Sequence, residues 1–219
     1  MNVKKLLEVG SMADLADVEE TLAAVFAAGK LVVFPTETFY AVGGRIDNVQ
    51  AMDLLGRIKD RPKGSAFPLI AASRTDVQAW ASIPQVFLPL VEAYWPGPLT
   101  LALQPRRRVS TAALDKSGTL GLRVSPHPVA CCVARAAGGV VIATSANMRG
   151  EPPVTTIGDL NPHIAQQVDC VIDGGATAGG LPSTVVRMDS TDVVICRSGA
   201  VSRQQLQSVM GNVHVRVEP

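Results

Sequence analysis

Three cations fall within five residues at Lys59-Asp60-Arg61-Pro62-Lys63. In an extended segment alternate side chains face the same way, so Lys59, Arg61 and Lys63 would present three charges to one polyanion, such as a triphosphate. Pro62 biases Arg61 toward that conformation. A basic loop at a helix C-terminus, favouring the helix dipole, uses the same residues differently. Pro35-Thr36-Glu37-Thr38-Phe39-Tyr40 follows the apolar run Leu31–Phe34. Hydroxyls at a strand's carboxyl end line ligand crevices in open α/β sheets; threonines in a turn bond their own backbone instead. Thr144-Ser145-Ala146-Asn147 follows Val140–Ala143 and offers compact donors and acceptors, for a ligand or for a helix cap. Arg123, Ser183-Thr184 and Arg197 stand at the ends of further apolar runs. An arginine there is costly to bury unless it meets an anion, from a ligand or from a structural Asp or Glu.

The elements that must hold these residues are short and alternate in type. Leu15, Val18, Leu22, Val25 and Phe26 share one face of a helix over 14–28, stopped by Gly29. A second helix spans 49–60, with others near 76–93, 127–137, 157–167 and 202–210. Strands are expected at Leu31–Phe34, Leu69–Ala72, Leu99–Leu103, Leu120–Val124, Val140–Ala143, Cys170–Ile172, Thr184–Arg187 and Val193–Cys196. The Gly/Ala stretch 174–180 reads as a loop. Such mixing predicts an α/β fold around a twisted sheet with parallel segments, as a single domain over 1–219.

Composition narrows the function classes. The 219 residues carry 20 Lys+Arg and 19 Asp+Glu, a net charge of +1, with 47% hydrophobic residues. This excludes a disordered chain and one held to nucleic acid by bulk charge alone. No run approaches the roughly 18 apolar residues of a membrane span, and Glu8, Asp14 and Asp17 interrupt any secretory h-region. Cys131, Cys132, Cys170 and Cys196 form no C-x-x-C pair and read as buried free thiols of a cytoplasmic protein. His127, His163 and His214 are too dispersed for zinc, and no metal held by protein side chains is expected. Walker A, G-x-G-x-x-G and G-x-S-x-G motifs are all absent.

The order of the polar motifs is more informative than any one of them. Pro35–Tyr40 (P-T-E-T-x-Y), Lys59–Pro62 (K-x-R-P), Trp95–Thr100 (W-P-G-P-L-T), Leu122–Ala130 (L-R-x-x-x-H-P-V-A), Ser145–Gly150 (S-A-N-x-x-G), Ser183–Val186 (S-T-V-V) and Arg197–Ala200 (R-x-G-A) follow one another along the chain. This succession resembles the YrdC/TsaC family, the threonylcarbamoyl-AMP synthases. The resemblance implies a YrdC-like twisted mixed sheet with flanking helices and a concave, positively charged cavity. It implies the short, single-domain type.

It also implies an activity. Such enzymes join L-threonine, bicarbonate and ATP, with Mg²⁺ accompanying the ATP, and release pyrophosphate and threonylcarbamoyl-adenylate. A downstream complex then transfers the threonylcarbamoyl group to tRNA. Carried over residue by residue, Lys59, Arg61, Lys63, Thr119, Asn147, Thr155 and Arg197 fall at ATP positions, with Lys59 and Arg61 as the catalytic pair. Thr36, Arg123, Ser145 and Ser183 fall at threonine positions.

The chain departs from the family pattern in three places. Ala41 replaces a usual glycine, Arg149 a frequent serine, and the segment from Pro62 to Pro68 is longer than is common. These departures keep open a divergent paralogue with another acceptor. Arg106-Arg107-Arg108 and the Lys59–Lys63 cluster motivate a second alternative, an RNA-binding module without catalysis, whose affinity would fall steeply with salt.

Overall fold

Short apolar runs buried on both faces set the architecture. The computed structural model describes residues 5–11, 13–60 and 66–218. Thirteen strands are found among them: β1 (Leu6–Glu8), β2 (Val32–Pro35), β3 (Tyr40–Gly43), β4 (Leu69–Ala71), β5 (Ala81–Ser82), β6 (Leu99–Pro105), β7 (Leu120–Val124), β8 (Val140–Ile142), β9 (Thr144–Ser145), β10 (Cys170–Asp173), β11 (Thr184–Asp189), β12 (Asp192–Arg197) and β13 (Val215–Val217). The helices are α1 (Asp14–Ala27), α2 (Val49–Ile58), α3 (Arg74–Trp80), α4 (Leu88–Tyr94), α5 (Pro128–Ala136), α6 (Pro162–Gln167) and α7 (Arg203–Met210).

The strands divide between two mixed sheets. One has the order β1-β10-β2-β3-β9; the other runs β13-β12-β11-β6-β7-β4-β8, with β5 added on β6. In the first, β1, β10 and β2 pair in parallel while β3 and β9 run antiparallel. The segment β8–β9 joins the two sheets. β8 pairs with β4 at the edge of one, and β9 pairs with β3 at the edge of the other. Ile142 N donates to Gly44 O at 3.0 Å and Ala146 N to Tyr40 O at 2.8 Å across this seam. Gly43 is needed here, since a Cβ would lie 1.6 Å from the Ile142 carbonyl oxygen.

Strand alternation sorts side chains into two cores. Val32, Phe34, Ile70, Val141, Cys170 and Ile172 pack with Leu15, Val18, Leu22 and Phe26 of α1 and with Val129, Cys132 and Val133 of α5. Their neighbours Val33, Leu69, Ala71, Val140, Ile142 and Val171 enter a larger core with α2 and α7. A strand buried on both faces reads as a continuous apolar run, which is why β2, β8 and β10 are legible in the sequence. The helix face predicted for α1 is the buried one, and Gly29, with φ +69°, follows its end.

Two expected helices are broken. The span 76–93 holds α3, the short β5, a 3-10 turn at Gln85–Phe87, and α4. Pro84 lacks an amide donor and disfavours helical backbone at Ile83, while Pro89 suits a helix start. The span 157–167 holds a 3-10 turn (Ile157–Asp159) and α6, whose first residue is Pro162. The four cysteines are unpaired, but only Cys132 and Cys170 are buried; Cys131 is half-buried and Cys196 exposed.

Candidate functional site

Thr36 follows β2 directly, and its side chain is fixed by the turn it starts. Its hydroxyl donates to Phe39 O at 2.7 Å and lies 3.2 Å from the Thr38 hydroxyl. Both threonines are buried. The turn and crevice readings of this motif therefore concern the same residues. Between them Glu37 reaches across to the second sheet, where one carboxylate oxygen accepts from Arg123 Nη1 and the other from Ser125 Oγ at 2.5 Å. The acid expected for a buried strand arginine is thus Glu37.

Arg123 lies in β7 opposite Ile70 of β4. Burial, and then the nearby charge of Arg197, lower its pKa to about 10. Arg197 ends β12; the residue as a whole is exposed, and partial burial of its guanidinium against Ser183 lowers its pKa. Its Nη2 donates to Ser183 O at 2.7 Å and to Ser183 Oγ at 2.9 Å. Ser183 Oγ in turn lies 2.9 Å from Thr100 Oγ1 of β6. Gly199 permits this approach, since a Cβ there would lie 2.2 Å from Pro182 O. Glu37, which adjoins Thr36, thus holds Arg123, while Ser183 holds Arg197, whose charge is near enough to act on Arg123.

Lys59 and the Ser145–Asn147 stretch form a second group. Lys59 caps the C-terminal end of α2. Its ammonium donates to Ser145 O at 2.8 Å and to Asn147 O, with Asn147 Oδ1 at 3.4 Å. Asn147 Nδ2 donates to Glu151 O at 2.6 Å, which fixes the amide. Ser145 pairs with Ala41 and Pro35 with Tyr40, so β3 links Thr36 and Ser145 through neighbouring strands. Arg61 and Lys63 lie outside the described residues. Arg149 is exposed; it donates to Asp60 O at 3.3 Å beside the Lys59 end of α2.

The remaining predicted residues are held from elsewhere. Thr119 leads into β7, and its hydroxyl donates to Asp115 Oδ2 at 2.8 Å. Burial alone would raise the Asp115 pKa, but hydrogen bonds from Ser117 and Thr119 outweigh it and lower the pKa. Thr155 O accepts Thr177 N at 2.9 Å, and Gly179 N donates to Thr38 O at 2.8 Å. The loop 174–180 is therefore pinned both to Thr155 and to the Thr36–Thr38 turn. No described contact joins Thr119 or Thr155 to the arginines. A cleft of about 310 Å³, lined in part by Arg74, Trp95, Pro96 and Val124, contains none of the predicted residues. Among the described residues no group of three or more His, Cys, Asp or Glu side chains gathers as a metal site.

Sequence reasoning gave no role to Glu37, Ser125 or Asp115. The available signal for Glu37 was its place between two candidate hydroxyls in an otherwise apolar region. The arginines that motivated the RNA-binding alternative are engaged in part: Arg107 stacks over Trp80 at 4.4 Å, and Arg106 donates to Ser82 Oγ at 3.1 Å.

The fold and site define a two-sheet α/β protein with one buried arginine, two less buried cations and buried hydroxyls at strand ends, a class suited to small anionic ligands. A family model described as Sua5_yciO_yrdC, telomere recombination, matches residues 24–199, and the chain belongs to this family. Threonylcarbamoyl-AMP synthase of Pyrococcus abyssi is 31% identical over 197 residues, covering 88% of this chain and 57% of that protein. Threonylcarbamoyl-AMP synthase of Stenotrophomonas maltophilia is 29% identical over 182 residues, covering 82% and 97%. The crystal structure of P. abyssi Sua5 complexed with L-threonine matches with TM-score 0.81 at 28% identity, covering 98% of this chain and 62% of that one. The chain thus spans little more than half the length of the Pyrococcus protein.

Proposed function

We propose that this chain is an L-threonylcarbamoyladenylate synthase, forming threonylcarbamoyl-AMP, pyrophosphate and water from L-threonine, bicarbonate and ATP. The observation that carries the reading is the buried Arg123 guanidinium, held by Glu37 next to Thr36 in the chain, with Arg197, bonded to Ser183, near enough for its charge to act on Arg123. These residues all belong to the family motifs. The names of the relatives support the same reading.

In this reading Arg123 receives the threonine carboxylate, with Thr36, Ser145 and Ser183 around the amino acid. Bicarbonate and the threonine amine form a carbamate with loss of water. A carbamate oxygen then attacks the α-phosphorus of ATP, and the bond to pyrophosphate breaks. Lys59, Arg61, Lys63 and Arg197 offset the charge that develops on the phosphoryl and leaving groups, while Asn147, Thr119 and Thr155 orient the nucleotide. Holding the carbamate and ATP in register contributes on the order of 7–11 kcal/mol. The site's donors are hydroxyls, an amide and cations, a set that suits Mg²⁺ carried in on phosphate oxygens rather than held by carboxylates.

The product is a reactive adenylate, which a tRNA threonylcarbamoyl-transfer complex consumes in the cytoplasm. Among the described residues no helix is long and apolar enough to cross a membrane. The experiment is a pyrophosphate-release assay with single omissions. Release that needs both threonine and bicarbonate supports the reading, and release indifferent to threonine overturns it.

A further inference from the structure

The proposed chemistry leaves one nearly buried acid without a part. The Glu37 side chain is only 12% exposed. Both its oxygens are held, one by Arg123 Nη1 and the other by Ser125 Oγ at 2.5 Å. Ser125 is anchored in turn. It is buried, its Oγ accepts His127 N at 3.1 Å, and its carbonyl accepts Cys131 Sγ at 3.1 Å. The Arg123 guanidinium is therefore tied through Glu37 to the start of α5, a helix packed in the core.

An acid beside a site for anionic ligands is costly unless it does something specific. Glu37 offsets the Arg123 charge, so what it can contribute to the site is orientation rather than attraction. Glu37 contacts one end of the guanidinium, Nη1, and anchoring one nitrogen of a planar, rigid group restricts where its remaining N–H groups can point. We propose that Glu37, braced by Ser125, is a positioning residue that aims Arg123 at the carboxylate of the amino-acid substrate. This inference rests on the synthase reading above. It assigns Glu37 no contact with substrate, and it differs from a competing-carboxylate role, in which removing Glu37 would free Arg123 and tighten binding.

The test is steady-state kinetics of pyrophosphate release by Glu37→Ala, Glu37→Gln and Ser125→Ala, with threonine and ATP varied separately. Glu37→Ala is expected to raise the KM for threonine at least tenfold, with kcat within about threefold and the KM for ATP within about twofold. Glu37→Gln keeps the shape without the charge and is expected to give a smaller rise in the same direction, as is Ser125→Ala. A merely structural acid would lower thermal stability without separating the two KM values. A threonine KM within twofold of wild type in the folded variants, a lowered threonine KM, or an equal rise in both KM values would each overturn the proposal. If Glu37→Ala does not fold, Glu37→Gln and Ser125→Ala decide the matter alone. The wild-type enzyme is the control, since lack of threonine-dependent turnover there counts against the synthase reading rather than against the Glu37–Arg123 contact, the clasp proposed here. Threonine calorimetry on wild type and variants then tests the clasp directly.

Discussion

Replacing Glu37 by Ala leaves the Arg123 guanidinium in place with its counter-charge gone. The Arg123 side chain is 9% exposed, and the Arg197 charge is close enough to depress its pKa. Breaking a buried ion pair from one side costs about 3–5 kcal/mol, because the remaining charge is uncompensated. For a chain of this length each kcal/mol moves the melting temperature by roughly 2–4 °C. The expected fall is therefore roughly 6–20 °C, read by calorimetry or circular dichroism without ligand at neutral pH. Arg123→Met should cost a comparable amount, since Glu37 would keep only Ser125. The double variant Glu37→Ala/Arg123→Met removes both charges and should recover at least about 2 kcal/mol relative to the sum of the single changes. Strict additivity, within about 0.5 kcal/mol, would show that the two residues do not interact and would refute the clasp as a structural unit.

Three further outcomes are expected. Lys59→Ala should lower pyrophosphate release by about 10²–10³, the effect of removing one preorganised charge-stabilising group; a loss under threefold would take Lys59 out of the reaction. Gly43→Ala should give an insoluble protein or lower the melting temperature by more than about 10 °C, because the new Cβ meets a backbone carbonyl that cannot turn aside. Asp115 should titrate below the ordinary carboxylate value of 3.8. Its contribution to stability is then complete above that value and disappears as pH falls through the lowered pKa. Carboxylate chemical shifts in an acid titration read this directly, and a pKa at or above 3.8 would mean the Ser117 and Thr119 hydrogen bonds are not made in solution.

Much of the fold was legible because its strands are buried on both faces. β7 spans Leu120–Val124 as its apolar run suggested, and the α1 face follows from Leu15, Val18, Leu22 and Phe26. β3 was not legible, because Tyr40–Gly43 is four residues ending in a glycine, and the need for that glycine arises only from the crossing strand β8–β9. β1, β9 and β13 were missed because two or three residues carry too little periodic signal. At the site, the cost of burying Arg123 pointed to an acid partner, but the partner stands 86 residues away and is chosen by the packing of two sheets. The same holds for Lys59, whose bonds to Ser145 and Asn147 cross 86 and 88 residues. Sequence order supplied the residue types, and the join between the sheets supplied their grouping.

The central claim is that this chain makes an adenylate of carbamoylated threonine. Mass spectrometry of the products formed from ATP, L-threonine and isotopically labelled bicarbonate tests it most directly. The expected result is threonylcarbamoyl-AMP carrying the labelled carbon, together with an equal amount of pyrophosphate. AMP or ADP formed without a labelled adenylate, at the same rate with and without threonine, would contradict it.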